Sequence, residues 1–424
     1  MLDVISNNFK FFKREAIFLS DVIALDVSKN HSYVVWYRNK KCMDEFDCLH
    51  NQVGFKHLKA ITDSADNPAV YFEATGVYSR PVVRFCQDNH LPYTQLNPLE
   101  LHLRSENLRR VKTDQLDAHK IARSVTENNY RQTEMWSRDY RQLRELTRFC
   151  DQVTNDIKLV QGKLYTALEQ TFPEEEQLFK NKISKLALNV ILLFPHPDSV
   201  HGLSRTKLKN KLMSQTDKRL SKTKGLKYAE KLITFAQISY PASDINSIQV
   251  QEVRYYCRQL IDLIKQKEIL IDQLKMLSES LPIYQIYISM PGIGPLSAAQ
   301  LLGELGDITR FDNANQLNAY IGIDLNRYQS GQYQRQDHIN KRGNPHARAL
   351  VYLIVRNMIR QQASAPNHIV DYYYKLKKRP IPKRDKVAIV ACMNRTLKCL
   401  YAMVMTGTKY AYAYTDSKSN NVQE

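Results

Sequence analysis

Two aspartates that stand three residues apart are the first candidates for chemistry in this sequence. Asp114 and Asp117 lie in residues 112–118, KTDQLDA, where a helical pattern begins that continues through Ile121 and Ala122. Three-residue spacing on a helix places both carboxylates on one face, where two negative charges repel unless a cation lies between them. Magnesium is the usual such cation because it prefers oxygen ligands. The alternative is a solvated first turn, in which aspartate interacts favourably with the helix dipole.

Two further carboxylates follow predicted strands upstream. Residues 21–27 have the pattern of a buried strand with Asp26 near its end, and residues 69–73 have the pattern of a second strand that ends in Glu73. Open sheets place active sites at the carboxyl ends of their strands. Together with the aspartate pair, these carboxylates are predicted to converge on a four-carboxylate site able to hold two metal ions for phosphodiester chemistry.

The composition indicates a large basic protein. The chain has 424 residues, a formal net charge of +18 and a pI near 9.4, which allows two or three domains and favours a polyanionic partner, most simply nucleic acid. An anionic membrane surface is the rival partner. The sequence has neither an apolar run of about 18 residues nor a signal-peptide core, so we expect a cytoplasmic protein with no membrane partner.

Residues 1–130 are predicted to form an α/β domain. Strands are expected at 21–27, 32–37, about 41–49, 69–73 and 92–96, with helices near 79–89 and from 114. Three antiparallel strands followed by alternating helices and strands is the order of an RNase H-like fold, whereas periodicity alone supports only the α/β class.

Residues 131–283 are predicted to be mainly helical, with two long helices. Apolar residues recur at spacings of three and four within 143–164 and again within 253–281, which is the pattern of a coiled-coil seam. Such heptads specify contact without naming the partner. An antiparallel pair within one chain and an oligomer formed between chains are therefore both open.

A basic segment separates these two helices. It contains Lys207, Lys209 and Lys211, and Asp217 is the one acid between residues 205 and 227. A charge run of this kind is either a solvated surface or a segment that contacts phosphates.

Residues 284–410 are predicted to form a helical C-terminal domain, followed by a disordered tail at 411–424. Residues 290–295, MPGIGP, resemble the turn of a helix-hairpin-helix element. In such a turn Gly292 and Gly294 would let backbone amides approach a phosphate at the start of the next helix. A purely structural corner between two helices is the alternative.

A polar loop with Ser330 before a glycine follows the hairpin. Arg335, Lys341 and Arg342 lie between this serine and a predicted helix that opens on an Asn-Pro pair. On chemistry alone, a serine beside glycine is ordinarily a turn residue.

Taken together and in order, these motifs resemble the DEDD transposases of bacterial insertion sequences. The resemblance covers roughly residues 20–410 and rests on residues 26–29 (DVSK), 73–78 (EATGVY), 112–118 (KTDQLDA), 291–295 (PGIGP) and 330–344. Piv-type DNA invertases are relatives, and the family includes recombinases guided by a bridge RNA.

The resemblance implies a RuvC-like N-terminal domain, a coiled-coil middle region and a C-terminal transposase domain. Its metal-binding DEDD set would be Asp26, Glu73, Asp114 and Asp117, with Mg²⁺ as the ion and Mn²⁺ as a substitute. Ser330 would be the nucleophile that forms a covalent phosphoserine link to DNA.

The implied partners are donor and target DNA, a structured noncoding guide RNA and further copies of the chain in a dimer or tetramer. The implied location is the bacterial cytoplasm, at the nucleoid. Lys341 and Arg342 are expected to bind phosphate near the serine. A metal-dependent nuclease of the Holliday-junction type is an alternative that needs the carboxylates but not Ser330. A nucleic-acid-binding protein without catalysis would need only the basic surface.

Overall fold

The computed structural model describes residues 21–104, 113–128, 130, 133, 136–216, 220–326, 329–330, 333–334 and 338–412. The chain divides into two compact units, residues 1–135 and residues 136–424. We call these the first unit and the second unit. The predicted division of the second unit into a middle region and a C-terminal domain stays a prediction.

The first unit is built on a five-stranded sheet. Its strands are β1 (Asp21–Val27), β2 (His31–Arg38), β3 (Lys41–Leu49), β4 (Ala69–Glu73) and β5 (Tyr93–Leu96). Their spatial order is β3-β2-β1-β4-β5. β1, β2 and β3 form an antiparallel meander, whereas β4 is parallel to both β1 and β5. The sheet confirms the predicted α/β class of this region.

Helices cover both faces of this sheet. They are α1 (Gln52–Ser64), α2 (Arg80–Asp88), α3 (Pro98–Arg104) and α4 (Asp114–Glu127). Side chains alternate across a strand, so Ile23 and Leu25 of β1 pack with α1 and α2 on one face. Val22 and Ala24 pack with α4 on the other. We call the latter the α4 face of the sheet.

The second unit is mainly helical. Its helices are α5 (Arg138–Thr171), α6 (Lys185–Leu193), α7 (Arg205–Ser214), α8 (Lys222–Ile238), α9 (Ile248–Glu279), α10 (Pro282–Ile288), α11 (Pro295–Leu305), α12 (Ala314–Ile321), α13 (Pro345–Arg360), α14 (His368–Lys377) and α15 (Asp385–Thr406). Short strand pairs join β6 (Leu325–Asn326) to β9 (His338–Ile339), and β7 (Gln329–Ser330) to β8 (Tyr333–Gln334).

The two predicted long helices are present as α5 and α9. They pack along each other, and the apolar seam residues Leu143, Ile157, Val253 and Leu260 are buried in one core. The heptad residues of the two helices therefore meet within one chain. An additional association between chains stays a prediction.

α15 has the length and the apolar composition that a membrane-spanning helix needs. Ile389, Cys392 and Leu397 on this helix are buried in the core of the second unit. The apolar side of α15 therefore faces the interior of its own unit.

Candidate active site and nucleic-acid interface

Asp26 and Glu73 occupy matching positions on neighbouring strands. β1 and β4 are parallel, and their register pairs Leu25 with Phe72, so Asp26 and Glu73 come next on their strands. Adjacent strands lie about 4.8 Å apart. Alternation turns both carboxylates toward the α4 face of the sheet, where both residues are half-buried.

α4 brings the predicted aspartate pair to the same face. The helix begins at Asp114, and the side-chain oxygen of its N-cap, Thr113, accepts a hydrogen bond from the Leu116 N–H at 3.2 Å. Such a cap fixes where the helix starts. The apolar residues of α4 are buried in the core that it shares with β1 and β4. Asp114 is exposed and Asp117 is half-buried on the first turn.

The first turn of α4 lies at the carboxyl end of β1. His31 follows the turn between β1 and β2, and its Nε2 lies 3.5 Å from Asp114 Oδ2. Further along α4, His119 Nδ1 is hydrogen-bonded to the hydroxyl of Tyr37 at 2.9 Å, and Tyr37 is paired with Val22 near the amino end of β1. α4 therefore starts at the carboxyl end of the strand and runs back along it. This direction gathers the four predicted carboxylates at one edge and on one face of the sheet.

The four carboxylates do not form a tight cluster. In the part of the chain that the structure describes, the group whose ligand atoms all lie within 4.8 Å of one another is Cys42, Glu45 and His119. Partial desolvation and the neighbouring Glu45 carboxylate raise the pKa of the exposed Cys42 thiol, which disfavours the thiolate that metals bind. By donor chemistry the DEDD set fits a hard divalent cation better, because it offers carboxylate oxygens on solvent-accessible side chains.

The hairpin between α10 and α11 gives its two glycines different surroundings. Gly292 has a φ of +83°, and a Cβ added there would lie 2.5 Å from Met358 Cγ and 3.1 Å from Met358 N. Packing against α13 therefore requires glycine at this position. Gly294 is exposed with a φ of −84°, and a Cβ there would meet no described atom within 4 Å. Of the two predicted phosphate-binding glycines, Gly294 is exposed and Gly292 is half-buried.

Asn344 organises the amino end of α13. Its side-chain oxygen accepts hydrogen bonds from the N–H groups of His346 and Ala347 at 3.0 and 3.2 Å. Its amide nitrogen donates to Glu304 Oε2 at 2.7 Å. Glu304 is only 1% exposed and also accepts two hydrogen bonds from Arg148, at 3.1 and 3.3 Å. One buried carboxylate thus ties α11, α5 and the start of α13 together.

The predicted serine and its basic neighbours lie in the segment before α13. Ser330 is in β7, whose backbone pairs with β8, and Arg335 lies outside the described residues. Lys341 and Arg342 are exposed. Lys341 has a φ of +59°, and its N–H donates to the carbonyl of Gly322 at 3.1 Å, which holds this turn against the end of α12.

The predicted basic segment folds as helices, and its first part is α7. Leu208 and Leu212 are buried, which leaves Lys207 and Lys211 exposed and Lys209 half-buried. α7 therefore presents positive charge on its outer side.

Sequence reasoning missed three charged residues near the start of α13: Arg144, Arg148 and Glu304. The two arginines are four residues apart on α5, so they share a helix face. That spacing was a signal available in the sequence. Their proximity to Glu304 cannot be predicted from the sequence, because Glu304 lies 156 positions from Arg148.

Two transposase family profiles match this chain. The DEDD transposase profile of IS110 elements matches residues 23–173, and the profile described as the Transposase IS116/IS110/IS902 family matches residues 284–370. The first match spans all four predicted carboxylates, and the second spans the hairpin and Ser330.

Curated proteins show the same kinship. The chain is 28% identical over 126 residues to a Pseudomonas aeruginosa protein described as a probable family 20 transposase, covering 30% of this chain and 36% of that protein. It is 27% identical over 146 residues to an uncharacterized 43.6 kDa protein of insertion element IS110 from Streptomyces coelicolor, covering 34% and 35%. It is 33% identical over 89 residues to the transposase for insertion sequence element IS1111A of Coxiella burnetii, covering 21% and 24%.

The α/β unit has its predicted carboxylates at one sheet edge, and the profile that covers this edge is that of a DEDD transposase. The chain belongs to the IS110-type family of these transposases. Its matches span from 24% to 36% of the length of the curated relatives.

Proposed function

We propose that this protein is the transposase of an insertion sequence and that it cuts and rejoins DNA strands at its DEDD site. One observation carries the proposal: carboxylates from three separate segments are gathered on the α4 face, at the carboxyl ends of β1 and β4. The sheet order β3-β2-β1-β4-β5, with an antiparallel meander followed by parallel strands, supports an RNase H-like fold for this unit.

Asp26, Glu73, Asp114 and Asp117 are the residues that would hold Mg²⁺, or Mn²⁺ in its place. When bound, such ions offset the charge that develops on phosphate oxygens during strand cleavage. The protein supplies a stable frame for these ligands, since two lie on hydrogen-bonded strands and two on a capped helix. Sites on such elements hold their side chains more accurately than sites on loops.

Ser330 is the proposed nucleophile. Its Oγ forms a bond to phosphorus as a backbone P–O bond of the DNA breaks, the serine proton is transferred to a base or solvent, and the released DNA oxygen takes up a proton. A hydroxyl is a weak nucleophile until its proton is accepted and the phosphate charge is offset. Lys341 and Arg342, both exposed in the same segment, are suited to bind the DNA phosphates.

Target choice is proposed to belong to a guide RNA rather than to the protein. The net charge of +18 and the exposed lysines of α7 suit binding to phosphate backbones without sequence preference. A guide leaves sequence recognition to base pairing. To test the role of a guide RNA, the protein is purified from cells that carry the whole element and the RNA bound to it is sequenced. Recombination is then assayed with and without that RNA. RNA-free protein that recombines its own sites with full specificity would contradict it.

The nucleophile is tested by incubating protein, bound RNA and element DNA with Mg²⁺ and separating the products under denaturing conditions. We expect cut DNA with protein attached for the wild type, and no attached protein for Ser330→Ala. Ser280→Ala, which alters an exposed serine on the same unit, is the matched control and should behave as wild type. Cut DNA with free ends would instead support the nuclease alternative.

A further inference from the structure

A cavity of about 400 Å³ lies in the second unit at the amino end of α13. Three arginines from two distant segments line it. Arg144 and Arg148 come from α5, and Arg342 comes from the turn before α13, next to the cap residue Asn344. Because the cavity is open to solvent, a group that belongs to a long polymer can enter it.

Aromatic and acidic partners hold two of the arginines in place. The guanidinium of Arg144 lies 4.8 Å from the centre of the Trp136 ring, and Arg310 lies 4.9 Å from the same centre. The Arg148 guanidinium is fixed by its two hydrogen bonds to Glu304. Preorganised donors lose less conformational entropy when they bind a ligand.

Positive charge exceeds negative charge in this cavity. Glu304 is a single carboxylate against three guanidinium groups, and it is already engaged by Arg148 and Asn344. Asp151, another acid on α5, lies 3.6 Å from His346 Nδ1. Nε of Arg144 is buried and has no hydrogen-bond partner among the described residues. Three guanidinium groups that line one cavity repel one another unless an anion faces them.

Helix geometry adds to this preference for an anion. α13 is 16 residues long, and its dipole places partial positive charge at its amino end, where the Asn344 side chain already accepts hydrogen bonds from the His346 and Ala347 N–H groups. The planar guanidinium fork matches the oxygens of a phosphate and binds them in pairs. A phosphate group is therefore the ligand chemistry that the lining fits.

We propose that this cavity binds a backbone phosphate of the nucleic acid, through Arg144, Arg148 and Arg342. The inference rests on the proposed function and extends it, because it adds the long helix α5 to the nucleic-acid interface. None of the predicted binding residues lies on that helix.

The test measures the affinity of the full chain for uncut DNA and RNA oligonucleotides in the presence of chelator. Fluorescence anisotropy reports binding over a range of salt concentrations. Arg144→Gln and Arg342→Gln should each weaken binding about fivefold or more and lower the slope of log affinity against log salt by about 1. Arg360→Gln is the matched control, because Arg360 lies at the far end of α13 and its side chain is exposed. This control removes the same charge and should retain the wild-type slope.

Two outcomes count against the proposal. Binding and slopes equal to those of Arg360→Gln in both cavity variants would overturn the proposal. A second result would also overturn it: inorganic phosphate raises the thermal stability of wild type, Arg342→Gln abolishes this increase, and nucleic-acid binding by the variant stays unchanged. The cavity would then bind a free anion. Arg342 is exposed, so its variant is expected to fold even if Arg144→Gln does not. Since no strand is cut in chelator, failure here leaves the proposed cleavage chemistry untouched.

Discussion

Replacing Gly292 by alanine should destabilise the second unit, because two independent penalties add. At a φ of +83°, an L-residue costs about 1 kcal/mol more than glycine. The new Cβ would also lie 2.5 Å from Met358 Cγ, 3.1 Å from Met358 N and 3.3 Å from Met358 Cα. The methionine side chain can rotate away, but the backbone atoms belong to α13, so the helix must shift. Overpacking of this kind costs about 1 to 3 kcal/mol, which gives a total of roughly 2 to 4 kcal/mol.

The chain offers both a probe and a matched control for this measurement. It has two tryptophans, and a Trp36→Phe background leaves Trp136 as the fluorescent reporter of the second unit during urea unfolding. Gly294→Ala, at a φ of −84° with no described atom within 4 Å of its Cβ, should change stability by less than about 1 kcal/mol. Equal stability of Gly292→Ala and wild type would refute the packing argument. Equal loss of DNA binding in both variants without loss of stability would show that the two glycines share one role.

Two further predictions concern buried carboxyl groups. Burial raises the pKa of Glu175 well above its ordinary value. The contribution of Glu175 to folding stability is therefore fully present below its unfolded-state pKa. It is lost as pH rises toward the folded-state pKa, by up to about 1.4 kcal/mol per pH unit. In urea unfolding, Glu175→Gln should gain stability relative to wild type as the pH is raised from 5 to 8. Free energies of unfolding that change equally with pH in both proteins would contradict this. Burial acts to raise the pKa of Asp21, but hydrogen bonds from Arg38 and from the Asp66 N–H outweigh it and lower that pKa. The stability that ionised Asp21 contributes is thus present above its unfolded pKa and is lost as pH falls through the lowered folded pKa. Asp21→Asn should therefore cost roughly 1.5 to 3 kcal/mol at pH 7 and progressively less as the pH falls below the ordinary value of 3.8; a loss independent of pH would count against the charge pairing.

The local elements of the first unit could be predicted from the sequence because their signals are local. Runs of apolar and β-branched residues predict β1 and β4, and the helical pattern that begins within residues 112–118 predicts α4. The convergence of Asp26 and Glu73 follows from a general rule about strand ends. Local patterns and this rule therefore predict that the carboxylates lie at one edge of the sheet.

Features that depend on distant contacts could not be predicted in the same way. Heptads on α5 and α9 leave their partner unspecified, and only the folded chain shows that the two helices meet. Gly292 and Gly294 look alike in the sequence, yet one packs against Met358 and the other is exposed. Arg148 and Glu304 are 156 positions apart, a distance at which periodicity carries no information. Ser330 is predicted only by family resemblance, because its local pattern is that of a turn.

The central claim is that the four gathered carboxylates form one cation-dependent cleavage site, and strand cleavage of element DNA by single carboxamide variants tests it most directly. Wild type, Asp26→Asn and Asp114→Asn should be compared at equal concentration with bound RNA, in Mg²⁺ and in excess chelator. Asp88→Asn, which alters an exposed aspartate paired with Arg84, is the control. We predict cleavage by wild type and control in Mg²⁺, none in chelator, and none by either DEDD variant although both fold normally. Cleavage at the wild-type rate by Asp26→Asn or Asp114→Asn, or by wild type in chelator, would contradict the claim.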